Sequence, residues 1–201
     1  YGAEITYCNN TPEERQATLD KVVARTGAAF IHPFDDYGVI AGQASCAMEL
    51  FEQVNDPLDA VMCPVGGGGL LSGTALAAHY FNPEIKVIAG EPENVDDAYR
   101  AFRSGRVEHN VDNRTVADGL RTNVSEKTLG IIRKHVHDIW LVSETEIIEA
   151  MRLIWERMKI IIEPSCAVPL AAALRHKTQL KGQRLGIILT GGNVDVNKLP
   201  F

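Results

Sequence analysis

Apolar and polar positions change period repeatedly along this chain. Runs of strand length alternate with longer stretches in which apolar residues recur every three or four positions. Residues 4–8 read as a short strand. Leu19, Val22 and Val23 then share one face of a helix that opens at Thr11-Pro12-Glu13-Glu14. There Thr11 caps, Pro12 takes the first helical position, Glu14 completes a capping box, and Gly27 ends the helix. Residues 28–32 read as the next strand and 33–38 as a turn-rich loop. A helix over 39–54 follows, with Ile40, Met48, Leu50 and Phe51 as its core residues. Residues 59–65 read as a strand running into Gly66-Gly67-Gly68-Gly69, and 70–80 as a helix.

The second half repeats the alternation. Residues 85–90 read as a strand ending at Glu91-Pro92. Asp96 or Asp97 caps a helix through Phe102 that stops near Gly105. Residues 106–114 are polar and irregular, and 116–120 lead into a second irregular piece. A helix is expected over 128–136 and a strand over 138–142. Ser143-Glu144-Thr145-Glu146 is a second capping box, opening a helix to Met158. Residues 160–162 are short and apolar. A helix from Ser165 to about His176 carries Pro169 in its first turn. Residues 184–189 are the last strand, running into Thr190-Gly191-Gly192-Asn193. Strands alternating with helices predict an α/β fold with a mainly parallel sheet. Ligands bind beyond the C-terminal strand ends of such sheets. Here those ends carry Gly66 to Gly69, Glu91, and Thr190 to Asn193.

The glycine run sets the chemistry. Without Cβ atoms, backbone N–H groups can converge on a bound oxyanion, and the first turn of the following helix adds partial positive charge. The expected guest is a phosphate. A flexible linker is the plainer alternative, but linkers are not flanked on both sides by patterned apolar segments. The run is not G-x-x-x-x-G-K-[ST], and it matches G-x-G-x-x-G only loosely through Gly66, Gly68 and Gly73.

Composition narrows the partners. Of 201 residues, 45% are apolar, enough for one large domain or two small ones. Lys and Arg number 20 against 26 Asp and Glu, a net charge of −6. With no basic cluster, nucleic acid is a poor partner, and no apolar run reaches membrane-spanning length. Cys8, Cys46, Cys63 and Cys166 form no C-x-x-C pair and read as reduced core thiols of a cytoplasmic protein.

Four motifs stand in one order: Pro64-Val65-Gly66-Gly67-Gly68-Gly69-Leu70, Ala117-Asp118-Gly119-Leu120-Arg121-Thr122, Glu163-Pro164-Ser165, and Gly191-Gly192-Asn193-Val194-Asp195. With His32-Pro33-Phe34-Asp35-Asp36 and Val39-Ile40-Ala41-Gly42-Gln43, the sequence resembles the pyridoxal-phosphate-dependent serine racemases and serine/threonine dehydratases of the tryptophan-synthase-β-like fold. The resemblance covers essentially the whole chain. The glycine loop alone is shared with cysteine synthases. The resemblance implies a small-domain remnant over 1–35, a large cofactor-binding domain over 36–201, and a cytoplasmic homo-oligomer, a dimer. It implies that Gly66, Gly67, Gly68 and Gly69 hold the phosphate of pyridoxal 5'-phosphate, that Gly119 lies beside the cofactor, and that the Thr190 hydroxyl faces the pyridine nitrogen. A neutral hydroxyl does not stabilise a protonated ring as a carboxylate would, so the cofactor becomes a weaker electron sink. A turn hydroxyl satisfying backbone is the plainer alternative for Thr190. Glu91, Val95 and Asp97 match a divalent-cation site, where two carboxylates and a carbonyl suit Mg²⁺ or Ca²⁺. Glu91 as a strand end and Asp97 as a helix cap are the ordinary alternatives.

The chain departs from the pattern in places. Ala44-Ser45-Cys46 follows Gln43 where the family often has Gly-Thr, and Cys166 follows E-P-S where Gly or Ala is common. Cys166 reads as a buried apolar thiol. The family's Schiff-base lysine motif, S-x-K-x-R-G, and its S-x-G-N-x loop are absent. The eight lysines, Lys21, Lys86, Lys127, Lys134, Lys159, Lys177, Lys181 and Lys198, sit in other contexts. The expectation is therefore the C-terminal part of such an enzyme, with Tyr1 matching a point well inside the family sequence and no catalytic residue of its own. The activity implied is ammonia elimination from, or racemisation of, a β-hydroxy amino acid such as serine, threonine or 3-hydroxyaspartate. The alternatives are a non-catalytic cofactor-binding chain and a cysteine-synthase-like β-replacement enzyme.

Overall fold

The computed structural model describes residues 2–9 and 11–201; Tyr1 and Asn10 lie outside them. The chain divides into two units, Tyr1–His32 and Pro33–Phe201. The first contains one helix, α1 (Pro12–Thr26). The Thr11 hydroxyl accepts the Glu14 N–H at 3.3 Å, so half of the expected box forms. Gly27 closes the helix with φ 69° and donates to the Val23 carbonyl. The strands expected at 4–8 and 28–32 do not form; both segments are irregular and mostly exposed. Their residue types favour extended backbone, but a strand also needs a neighbour to bond and a face to bury. No described strand pairs with either segment.

The second unit is an α/β layer structure. Its elements are α2 (Tyr37–Gln53), β1 (Ala60–Pro64), α3 (Gly69–Phe81), β2 (Lys86–Pro92), α4 (Asp97–Ser104), α5 (Glu126–His135), β3 (Asp138–Val142), α6 (Glu144–Met158), α7 (Pro164–Arg175) and β4 (Leu185–Ile187). The strands lie in the order β3-β2-β1-β4, all parallel. Alternate residues feed opposite faces. Val61, Cys63, Val87, Ala89 and Ile139 meet α2, α3, α4 and α5 on one side. Ala60, Met62, Ile88, Trp140 and Val142 meet α6 and α7 on the other. Both faces are covered, as an all-parallel sheet requires.

Local signals account for most boundaries. Asp36 caps α2 by accepting the Val39 N–H at 3.1 Å. Ser125 and Ser143 open α5 and α6 with complete capping boxes. The first was missed in sequence, because its partner at the third helical position is Thr128 rather than Glu or Gln. One core expectation fails. Met48 is 49% exposed, because the buried stripe of α2 runs through Ile40, Ala47 and Phe51. Helix α7 starts one residue earlier than expected, at Pro164, so Pro169 sits inside the helix rather than in its first turn. Strand β4 is shorter than expected, although the Ile188 N–H still reaches the Met62 carbonyl at 2.9 Å.

Candidate active site

Because β1, β2 and β4 are parallel, their C-terminal ends fall at one edge of the sheet. A cavity of about 350 Å³ opens in this unit. Its wall includes Gly66, Gly67, Gly68 and Gly69 after β1, Gly119 in a 3-10 turn over Asp118–Leu120, and Thr190 after β4. Phe34, Gln43, Thr122, Glu163 and Ser165 complete the polar and aromatic lining. No lysine lines it among the described residues.

The glycine loop is shaped by its neighbours. A Cβ on Gly67 would collide with the Phe34 ring, and one on Gly69 would come 2.9 Å from the Phe34 Cβ. Gly68 has φ 88°, in the left-handed region. Among the described residues, the N–H groups of residues 66–71 have no acceptor. The first α3 bond runs from the Ser72 N–H to the Gly68 carbonyl at 2.8 Å. Unsatisfied N–H groups at a helix start, drawn around a cavity, are the donor set that an oxyanion needs. The loop therefore fits a phosphate group.

Around the cavity, short links hold the other lining residues. The Gly119 N–H donates to the Ser165 Oγ at 3.0 Å. Glu163 is tied to the last glycine turn twice: its N–H donates to the Gly191 carbonyl at 3.1 Å, and its Oε2 accepts the Asn193 N–H at 3.0 Å. The Thr190 N–H donates to the fully buried Cys166 Sγ at 3.1 Å. The Thr190 hydroxyl bonds no described residue, and Thr190 is an exposed residue of the cavity wall. Glu163 and Ser165 stand in a recognisable motif, but the sequence alone assigns neither side chain a task. Phe34, by contrast, carries no signal that could have placed it against the glycines.

Glu91, Val95 and Asp97 form a separate cluster away from the cavity lining. Glu91 and Asp97 are both 1% exposed. Glu91 Oε1 and Oε2 accept the Ala98 and Tyr99 N–H groups at 2.9 and 2.8 Å. Thus Glu91 caps α4, the task sequence reading gave to Asp96 or Asp97; Asp96 makes no capping bond. Asp97 accepts the Asn110 Nδ2–H at 2.7 Å and the Val124 N–H at 2.9 Å. Burial, then the Asp97 charge, pushes the Glu91 carboxyl well above its ordinary value, against the Tyr99 and Ala98 N–H groups. Burial also raises Asp97, to about 6, against the Val124 and Asn110 bonds. Among the described residues no group of three or more His, Cys, Asp or Glu side chains gathers. Among the described residues the Val95 carbonyl accepts no hydrogen bond, whereas each carboxylate oxygen of Glu91 and Asp97 already accepts one.

A family model for "Pyridoxal-phosphate dependent enzyme" matches residues 1–191. The chain belongs to the pyridoxal-phosphate-dependent enzyme family. Its relatives include a beta-hydroxyaspartate dehydratase of Paracoccus denitrificans, 49% identical over 100% of this chain and 64% of the relative. An L-threo-3-hydroxyaspartate ammonia-lyase of Saccharomyces cerevisiae is 44% identical over 98% of this chain and 61% of the relative. Among solved structures, the serine racemase of Dictyostelium discoideum superposes with a TM-score of 0.89 at 48% identity, covering 97% of this chain and 63% of that one. The family member described here thus spans a little over three fifths of the length of these relatives.

Proposed function

We propose that this chain supplies the phosphate-binding and ring-binding side of an enzyme that eliminates ammonia from a β-hydroxy amino acid, with racemisation as a companion reaction. Serine, threonine and 3-hydroxyaspartate are the substrates in view. Such a substrate loses water and regains it on hydrolysis, giving a 2-oxo acid and ammonia. The observation that carries the reading is one cavity in which acceptor-free N–H groups of residues 66–71 meet an unengaged Thr190 hydroxyl. The dehydratase and ammonia-lyase relatives support the reaction class.

When bound, pyridoxal 5'-phosphate supplies the electron sink that makes the substrate's Cα–H bond labile. The chain's own residues do the rest of what is assigned here. Gly66, Gly67, Gly68 and Gly69 hold the phosphate by backbone donors, helped by the α3 dipole. Thr190 would offer the ring nitrogen a neutral hydroxyl, which does not favour its protonation as a carboxylate would, and Gly119 would leave room beside the ring. Glu91, Val95 and Asp97 would hold Mg²⁺ or Ca²⁺. Residues 1–35 are the small-domain part and 36–201 the cofactor-binding domain. Pro33, Phe34 and Asp35 nevertheless group with the second unit, where Phe34 packs on the glycine loop. The four cysteines carry free thiols, which suits a cytoplasmic protein. The assembly expected is a dimer, measurable by sedimentation.

The test is equilibrium dialysis of the purified chain against pyridoxal 5'-phosphate and against pyridoxal. The phosphorylated form should be retained more tightly, reversibly, and without Schiff-base absorbance, since no lysine lines the cavity among the described residues. Equal retention of both compounds refutes the phosphate cradle. Ammonia release should appear only when a lysine-bearing N-terminal segment of a relative is joined to the chain or added to it. Joined protein that binds cofactor yet releases no ammonia from any of the three amino acids refutes the reaction.

A further inference from the structure

Thr128 opens helix α5, lies outside the cavity and is 0% exposed. Its hydroxyl has one hydrogen to give and has placed it. The Thr128 Oγ1 accepts the Ser125 N–H at 3.0 Å and donates to the Gly67 carbonyl at 2.9 Å. Other acceptors, the Ser125 carbonyl and Oγ, both lie at 3.3 Å. This bond crosses 61 positions of sequence to reach the centre of the glycine loop. The same threonine also bounds the loop sterically: a Cβ on Gly68 would come 2.9 Å from both the Thr128 Cβ and Oγ1.

The bond has a directional consequence. The Gly67 carbonyl and the Gly68 N–H belong to one planar trans peptide, so they point in opposite directions. The carbonyl points to Thr128, which does not line the cavity, and the Gly68 N–H, with no acceptor among the described residues, points the opposite way. Glycine peptides are otherwise the easiest in a chain to flip, since both flanking φ/ψ pairs are permissive. A flipped peptide would present an oxygen, and its lone pairs, to the incoming anion.

The helix start that carries Thr128 is itself held firmly. The Ser125 Oγ donates to the Asp35 Oδ1 at 2.6 Å, and the Lys127 Nζ to the Asp35 carbonyl at 2.6 Å. The Val124 N–H, one residue upstream, donates to the Asp97 Oδ2 at 2.9 Å. The Ser72 Oγ of α3 donates to the Thr128 carbonyl at 3.4 Å. A hydroxyl on a braced helix turn, bonded to a carbonyl at the centre of the glycine loop, is a device for preorganisation.

We infer that Thr128 is the positioning residue of the anion cradle: by holding the Gly67 carbonyl it orients the Gly68 N–H toward the bound phosphate. The inference rests on the proposed phosphate role of the glycine loop. It assigns Thr128 no contact with the cofactor or the substrate.

The experiment uses the full chain, titrated calorimetrically with pyridoxal 5'-phosphate, inorganic phosphate and pyridoxal. Thr128→Val keeps the shape and removes the hydroxyl. It should weaken both phosphate compounds about tenfold, the scale of one lost hydrogen bond. Its affinity for pyridoxal should stay within about twofold. Thr128→Ser restores the hydroxyl and should bring phosphate affinity back to within about twofold of wild type. A purely structural role for Thr128 would instead lower the melting temperature of Thr128→Val while leaving the phosphate dissociation constant unmoved. That result overturns the inference and leaves the phosphate reading standing. A wild-type chain that binds neither phosphate compound refutes the phosphate reading and the inference with it. Should Thr128→Val fail to fold, the wild-type Gly68 amide resonance decides. It should move on phosphate addition, and a Gly68 amide that stays still while its neighbours shift overturns the inference.

Discussion

Cys166 holds Thr190 by its backbone: the Thr190 N–H donates to the Cys166 Sγ at 3.1 Å, and the sulfur is fully buried. The position that looked like a plain buried thiol therefore anchors the hydroxyl-bearing residue of the cavity. Cys166→Ala should cost about 1 kcal/mol, or about 2–4 °C in melting temperature, for the lost contact and small void. It should also loosen cofactor binding more than an equally destabilising change elsewhere in α7. Unchanged melting and unchanged cofactor retention would show the sulfur contact to be idle. In native protein a thiol reagent should label Cys8 and Cys46 quickly, and Cys63 and Cys166 only after denaturation. Burial pushes the Cys63 thiol up to about 12, which removes the reactive thiolate as well as the access.

Thr190 can be tested by charge. A carboxylate beside the pyridine nitrogen favours its protonated form, so Thr190→Asp should raise the pH at which the bound cofactor's absorbance titrates. In a lysine-bearing assembled enzyme, elimination should fall relative to racemisation or transamination. Bound cofactor with an unaltered titration and product ratio would mean that Thr190 does not face the nitrogen.

Gly67 is constrained by a single aromatic ring. Gly67→Ala places a methyl group in the Phe34 ring, and overpacking of this kind costs about 1–3 kcal/mol. Cofactor affinity should fall as well, because the displaced loop no longer presents its N–H groups. Phe34→Leu combined with Gly67→Ala should recover part of the stability, and a denaturant-unfolding double-mutant cycle measures the coupling. Strict additivity of the two changes would count against the packing account.

The oxygen cluster is testable by ligand linkage. Added Mg²⁺ or Ca²⁺ should raise the melting temperature by mass action, and chelation should lower it. Glu91→Gln combined with Asp97→Asn removes both charges and keeps one acceptor oxygen on each side chain, so one bond to the Ala98 or Tyr99 N–H and one to the Asn110 Nδ2–H or Val124 N–H is lost. The metal-dependent shift should disappear in that variant. A shift that persists there places the cation elsewhere.

The His79 and His135 rings lie 4.5 Å apart between centroids. Burial first, then the charges of His79 and Lys134, holds His135 below its ordinary 6.5. For a base depressed in the folded state, the unfolded chain binds more protons as pH falls through about 6.5, so stability is full above that pH and declines below it. Other groups titrate in the same window, so the informative quantity is the difference between wild type and His79→Gln. Between about pH 8 and about pH 5.5 the variant should lose less stability to urea than wild type. Parallel losses in the two proteins would discount the pair.

Much of this molecule is local in origin and so can be read along the chain. The strand over 138–142, the helix to Met158 behind its Ser143 box, the α1 stop at Gly27 and the glycine loop after a strand each depend on residues a few positions apart. Capping, turn geometry and hydrophobic period act over that range. The cavity-lining residues Gly66, Gly67, Gly68, Gly69, Gly119 and Thr190 were equally legible, because they lie in or beside short motifs. What tertiary structure alone decided are relations across long sequence separations. Thr128 reaches Gly67, Ser165 reaches Gly119 and Cys166 reaches Thr190 only because parallel strands bring their C-terminal ends together. The segments at 4–8 and 28–32 have strand-like composition but no ladder to join, since pairing is a property of the neighbour as much as of the segment. Glu91, rather than the adjacent aspartates, caps α4 for a similar reason. A helix start takes whichever carboxylate the fold places over its N–H groups, and here the turn after β2 places Glu91 there.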